Sequence, residues 1–169
     1  MKQKGFSLIE LLIVVAIILI IAAIAIPNLM RARMAANDSS AAQSIRQIST
    51  AEIAYFAAYP TIGYPLNLAT LGGAAPCSPS IATACAIDNY LATNGGGNGK
   101  SGYSFNATGS ASAGSIVNDQ FYSTGAPLST SFGSRSYCSI EDGVIRLQPA
   151  GTITTVASHT ACAALKAMP

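Results

Sequence analysis

Phe6-Ser7-Leu8-Ile9-Glu10-Leu11-Leu12-Ile13-Val14-Val15-Ala16-Ile17-Ile18-Leu19-Ile20-Ile21-Ala22-Ala23-Ile24-Ala25-Ile26 is the stretch that decides the architecture. Nineteen of its twenty-one residues are apolar, and Leu11 to Ile26 is a run of sixteen side chains without a polar atom. About 20 such residues cross a hydrocarbon core of about 30 Å. Lys2 and Lys4 precede the stretch, so the positive-inside rule predicts a cytoplasmic N-terminus and an external remainder.

Three readings fit a basic stub followed by an apolar run. Ala23-Ile24-Ala25 looks like the small-residue cleavage site of a secretory signal, which would release a soluble binding protein or enzyme after Ala25. A plain single-span anchor is the second. Both leave Glu10 unexplained, because a carboxylate inside an apolar segment costs a few kcal/mol on insertion and by default marks a function. The third reading begins from Glu10 and the residues around it.

Lys4-Gly5-Phe6-Ser7-Leu8-Ile9-Glu10-Leu11 resembles the processing site of type IV prepilins and of the pseudopilins of type II secretion, and the likeness extends through Ile26-Pro27-Asn28-Leu29-Met30-Arg31-Ala32-Arg33. The resemblance implies a leader, residues 1–5, cut by a prepilin peptidase between Gly5 and Phe6, with N-methylation of Phe6. Gly5 suits that role physically, since a backbone without a side chain lets a protease approach closely. Cleavage would place the Phe6 amine, still cationic after methylation, four residues from the only acid in the segment. The family is thought to pair this Glu with the amine of a neighbouring subunit. Unpaired, a buried carboxylate is costly, so pairing would favour the register in which every Glu10 has a partner. A helix apolar on every side must also be buried on every side. The resemblance implies that lipid does this in residues 6–26 first, and a core of copies of the same helix afterwards.

Pro27 lacks an N–H and crowds the carbonyl of Ala23, so it should interrupt the helical ladder; the family keeps its helix running through such a kink. Residues 27–59 then turn amphipathic. Met34, Ala41, Ile45, Ile48, Tyr55 and Tyr59 share one stripe, Asp38 and Glu52 are its polar members, and Arg46, Gln47, Ser49 and Thr50 fall off it. A helix over about Ser7–Tyr59, near 80 Å at 1.5 Å per residue, is expected, ended by Pro60.

Past Pro60, residues 60–100 read as loop, rich in Pro and Gly, with helical pieces near Asn67–Leu71 and Ile87–Ala92. Residues 101–169 read as sheet. Strands are expected at Gly102–Ala107, Gln120–Thr124, Ser134–Ile140 and Val144–Gln148, the last two joined across Glu141-Asp142-Gly143. The fold class is therefore α+β, a long kinked helix against about four antiparallel strands. The four cysteines would lie in an oxidising compartment, and they allow three connectivities. Cys77–Cys85 and Cys138–Cys162 are favoured, the latter because it resembles the bridge bounding the C-terminal region of many pilins. Spacing alone leaves crossed pairs open.

Composition and motifs argue against other classes. Nine basic against seven acidic residues, with 9% charged residues overall, do not make a basic nucleic-acid patch. Asn94-Gly95-Gly96-Gly97-Asn98-Gly99-Lys100-Ser101 ends like a phosphate-binding loop, but Asn94 stands where the first Gly is needed and a strand is expected to follow. His159 is the only histidine, so no His-based zinc cluster is expected, and no G-x-S-x-G serine motif occurs. Glu141, Asp142 and Asp119 lack an EF-hand spacing for calcium. No catalytic residue, metal or cofactor is expected. Asn37-Asp38-Ser39 and Asn106-Ala107-Thr108 match the glycosylation sequon, which carries little in the bacterial setting that the resemblance to prepilins implies, and the Thr108–Ser115 loop reads as solvated. Tyr55, Phe56, Tyr59 and Tyr64 read as core packing and subunit contact.

By resemblance the expected function is that of a type IV pilus subunit serving adhesion, motility or DNA uptake, with a secretion pseudopilin as the alternative. Expected partners are copies of itself, the prepilin peptidase, an assembly platform in the inner membrane, and lipid before assembly. Without residues 1–5, seven basic residues would balance seven acidic ones, nine less Lys2 and Lys4. A neutral subunit packs against copies of itself without accumulating charge.

Overall fold

Helix α1 spans Leu8–Ala58 in a computed structural model that describes residues 6–149 and 151–168. Lys2, Lys4 and Gly5 lie outside the described residues. The chain divides into two compact units, Met1–Arg33 and Met34–Pro169.

In the first unit, Ile and Val are frequent although β-branched side chains lose rotamer freedom in a helix. A helix nevertheless satisfies every backbone group within the segment, which an apolar environment demands. Pro27 sits inside α1, and helical structure continues on both sides of it. Every large apolar side chain from Phe6 to Ile26 is exposed in the single chain. The stretch is long and apolar enough to cross a membrane.

In the second unit, the later turns of α1 bury Ala41, Ala42, Ser44, Ile45, Ile48, Ser49, Ala51, Glu52 and Tyr55. The stripe expected from spacing is there, with one correction: Ser49 belongs inside. Its hydroxyl donates to the Ile45 carbonyl at 3.0 Å, a back-bond that lets a serine be buried on a helix.

The sheet has five strands, one more than expected, in the order β1-β2-β3-β4-β5, every neighbouring pair antiparallel. These are β1 Tyr103–Ser110, β2 Gln120–Pro127, β3 Tyr137–Ile140, β4 Arg146–Leu147 and β5 Lys166–Ala167. Period-two alternation gives the sheet two distinct faces. Tyr103, Phe105, Ala107 and Tyr137 join Ile45, Ile48, Leu68, Leu71 and Leu91 in the main core. From the other face, Cys138 and Ile140 pack with Val156 and Cys162 in a second, smaller cluster. Gly125 permits the close approach of helix and sheet, because a Cβ there would stand 2.9 Å from the Phe105 ring and 3.4 Å from Ile45 Cδ1.

Four short helical pieces complete the described part of the unit, one of them the 3-10 turn Gly95–Gly97. The expected helix near Asn67–Leu71 is a 3-10 turn, Leu68–Leu71, capped by the Asn67 side chain. Helix α2, Asn89–Ala92, is capped by Asp88, whose Oδ1 accepts from Leu91 N–H at 2.8 Å. Helix α3, His159–Ala163, is capped by Ser158 and was not expected. Its five residues are too few to show a helical period. β5 has no β-branched or aromatic residue to announce it, and it pairs with β4 only four residues beyond the bridged Cys162.

Candidate functional site

The start of α1 is built by Ser7 and Glu10. Ser7 carbonyl accepts from the Glu10 N–H at 3.1 Å and the Leu11 N–H at 3.3 Å, which begins the helical ladder. Glu10 Oε2 accepts in return from the Ser7 backbone N–H at 3.0 Å. This is one half of a capping box, in which an acid at the third helical position satisfies an N–H left orphaned at the helix start. The S-x-x-E spacing of Ser7 and Glu10 was the sequence signal for it. Glu10 therefore does two things at once. It stabilises the helix N-terminus, where a negative charge is favourable, and it holds its carboxylate one residue from Phe6.

Phe6 is exposed, and Glu10 stands at the end of an apolar surface that is exposed on every side. Such a surface is far larger than the patches soluble monomers tolerate. The chemistry available here is association: a lone anion marks one end of a helix that demands apolar surroundings.

The second unit is held by polar ties between distant elements. Asp38 on α1 lies 2.5 Å from the Tyr103 hydroxyl on β1 and accepts from the Ser134 hydroxyl at 3.0 Å. That tyrosine hydroxyl also reaches the Arg135 carbonyl at 2.9 Å, and burial together with Asp38 raises its pKa strongly. Burial also pushes the neighbouring Tyr137 up to about 12. Gly133 makes room for this cluster, since a Cβ there would fall 2.2 Å from Tyr103 Oη and 2.7 Å from Asp38 Oδ1. Tyr55 donates to the Ile81 carbonyl at 2.8 Å, tying the loop to α1. Rings of Phe56 and Tyr64 lie 4.8 Å apart, and those of Tyr64 and Phe121 lie 4.7 Å apart, so the expected aromatic group packs as core.

Cys77 is bonded to Cys85 and Cys138 to Cys162. The first closes the loop containing Pro79, and the second ties β3 to α3. The acids considered for calcium are not brought together. Asp119 accepts from the Ser112 N–H and hydroxyl, which hold it below its usual range, while Asp142 is lowered by its bond to Arg146. Glu141 takes His159 Nε2 at 2.7 Å. Among the described residues no group of three or more His, Cys, Asp or Glu side chains could hold a metal. The Asn94–Ser101 stretch forms a 3-10 turn at Gly95–Gly97 and leads into β1; the Asn94 side chain accepts from the Phe105 N–H.

Glu52 is the residue whose environment the sequence did not disclose. It is fully buried, neither carboxylate oxygen has a hydrogen-bond partner, and desolvation raises its pKa to about 8. Its place on the stripe was visible, but a helical period does not distinguish a rim position from a sealed one.

Residues 1–26 match the family described as the prokaryotic N-terminal methylation motif. The amino-terminal segment thus carries that motif, and the long apolar helix, the antiparallel sheet and the two disulfides are the parts of a pilin-like α+β fold. Two curated relatives are similar in the same region. The type IV wide pilus major component PilA4 of Thermus thermophilus is 69% identical over 38 residues, which cover 22% of this chain and 29% of that protein. The type IV major pilin protein PilA of Myxococcus xanthus is 46% identical over 55 residues, 32% of this chain and 25% of that protein. The chain thus spans less than a third of the length of the curated relatives it matches. No solved structure matches significantly.

Proposed function

We propose that the chain is a structural subunit of a type IV pilus, without catalytic activity of its own. The reading is supported above all by one observation: Phe6 to Ile26 is exposed and apolar all round, and the carboxylate at its start is held on the N–H next to Phe6. The subunit is made as a single-pass inner-membrane precursor with its N-terminus in the cytoplasm. A prepilin peptidase cuts between Gly5 and Phe6, and Phe6 is N-methylated. The assembly platform then transfers the helix from lipid into a filament of identical copies, and Glu10 meets the Phe6 amine of a neighbouring copy. Residues 27–59 continue the helix into the head, residues 60–100 form the connecting loop, and residues 101–169 form the sheet and its disulfide-bounded end.

Mass spectrometry of the chain from native cells, with electron microscopy of surface filaments, tests this. Loss of Met1–Gly5 with gain of one methyl group is expected, together with loss of filaments in a deletion strain. A mature chain beginning at Ile26 would instead identify an exported soluble protein.

A further inference from the structure

The loop between β1 and β2 carries Ile116, whose side chain is 100% exposed. Single exposed apolar residues are ordinary, but this one stands on a fixed mount. Asp119 accepts from the Ser112 N–H at 2.6 Å and also from its hydroxyl, Ser115 N–H donates to the Ser112 carbonyl at 3.0 Å, and Ser115 Oγ donates to the Val117 carbonyl at 2.8 Å. The base of the loop is bonded to the chain beyond α1: Tyr64 N–H donates to the Asn118 carbonyl at 2.7 Å, and Asn118 N–H donates to the Ile62 carbonyl at 3.1 Å. Little conformational freedom is left to lose when such a knob docks, and preorganisation of that kind is what favours binding.

Elsewhere on the same unit, a groove of about 610 Å³ runs between α1 and the segment before α2. Ala51, Ala54, Ala86 and Ile87 give it an apolar lining, and Arg46 and Asp88 stand among its polar residues. Arg46 is exposed and has no ion-pair partner among the described residues. The groove's helical wall is centred near Ile48, while the Ile116 loop is anchored past the helix end at Ala58. At 1.5 Å per residue the two sites are offset along the helix by roughly 15 Å.

We infer that Ile116 of one subunit seats in the Arg46–Ile87 groove of a second copy, with Asp119 of the first facing Arg46 of the second. The occupant is a second copy because knob and groove are carried by one chain at different levels, and because Asp119 complements Arg46, which shares the groove with Asp88 but makes no ion pair among the described residues. Such a contact joins two different surfaces, so each subunit still offers a free knob and a free groove after pairing. Heterologous contacts of this kind propagate as open helical filaments when their rotation does not close. The inference rests on the filament reading above and adds a specific contact between heads to it.

Cysteine pairing in whole filaments tests it. Filaments carrying Gln47→Cys with Ile116→Cys should give, on mild oxidation, a detergent-resistant ladder from dimers upward, while either single variant and the pair Lys166→Cys with Ile116→Cys should stay monomeric. Ile116→Asp, a change at a fully exposed position, should lower filament yield several-fold and leave the melting of the subunit unchanged. Intact filaments without a ladder, a ladder from Ile116→Cys alone, or wild-type yield from Ile116→Asp would each overturn the contact while leaving the filament reading standing. Absence of filaments from the wild-type chain would remove that reading, and the contact with it.

Discussion

Glu10 Oε2 accepts a hydrogen bond from the backbone N–H of Ser7 at 3.0 Å. Cleavage before Phe6 would place a cationic amine one residue away from that bond. The same carboxylate can therefore turn from capping its own helix to pairing with an amine, with little movement. Glu10→Val is expected to leave processing intact and to impair filament formation. Mass spectrometry would show the shortened, methylated chain while electron microscopy would show few or no filaments; a normal filament count would mean the carboxylate is dispensable for assembly.

Gly5→Val is expected to act a step earlier. A branched side chain beside the scissile bond blocks close approach of a protease, so the precursor mass should persist in the membrane fraction. Normal removal of the first five residues would show that the cleavage site lies elsewhere.

Glu52 makes the head sensitive to alkali. Its folded pKa, about 8, lies above the ordinary 4.5, so between these values the folded state holds a proton that the unfolded chain has lost. Its stabilising contribution is complete below pH 4.5, declines as pH rises to about 8, and changes no further beyond. Roughly 3 kcal/mol of stability is expected to be lost between pH 4.5 and 7. Asp119 and Asp142 act in the opposite sense and in another window, because their lowered values matter only as pH falls below 3.8. Thermal unfolding of the full chain in detergent, followed by circular dichroism, should therefore show a melting temperature that falls from pH 4.5 to 8. Glu52→Gln should flatten that slope, and an unchanged slope would contradict the assignment.

Tyr103 and Asp38 join sheet to helix. Tyr103→Phe removes the hydroxyl that reaches both Asp38 and the Arg135 carbonyl. A loss of about 1–3 kcal/mol is expected, the usual cost of leaving a part-buried acceptor unsatisfied. Gly133→Ala should cost at least as much, since its Cβ would fall 2.2 Å from Tyr103 Oη, a clash that forces the hydroxyl away. Denaturant midpoints measure both, and Tyr103→Phe in an Asp38→Ala background should cost clearly less than alone.

The Cys138–Cys162 bridge spans 24 residues and the Cys77–Cys85 bridge 8. On the chain-entropy model the longer loop contributes about 3.5 kcal/mol and the shorter about 2.5 kcal/mol. Replacing Cys138 and Cys162 with Ala should also release α3 and β5. Hydrogen exchange at Lys166 and Ala167 should then accelerate more than exchange at Tyr103 or Phe121, and equal acceleration would argue for global rather than local loosening.

Much of this molecule was legible locally. The apolar run, the lone Glu10, Pro27 and the stripe from Ala41 to Tyr55 are written at spacings of three and four residues, and a helix reads such spacings directly because its hydrogen bonds are local. The Ser7–Glu10 cap was not anticipated, although its S-x-x-E spacing is equally local. The favoured pairs Cys77–Cys85 and Cys138–Cys162 are those observed, although spacing alone left three connectivities open. What depended on distant chain segments was not readable: a fifth strand without strand-forming residues, the meeting of Asp38 with Tyr103 some 65 positions away, and the sealing of Glu52. In each of these the contact is set by closure of a long loop around a shared core. The closure energy depends only weakly on loop length, so sequence separation alone carries almost no information about which distant residues meet. The sequence by itself determined the helix and the place of a lone carboxylate near its start; the tertiary structure alone decided which polar groups the head buries and which it pairs.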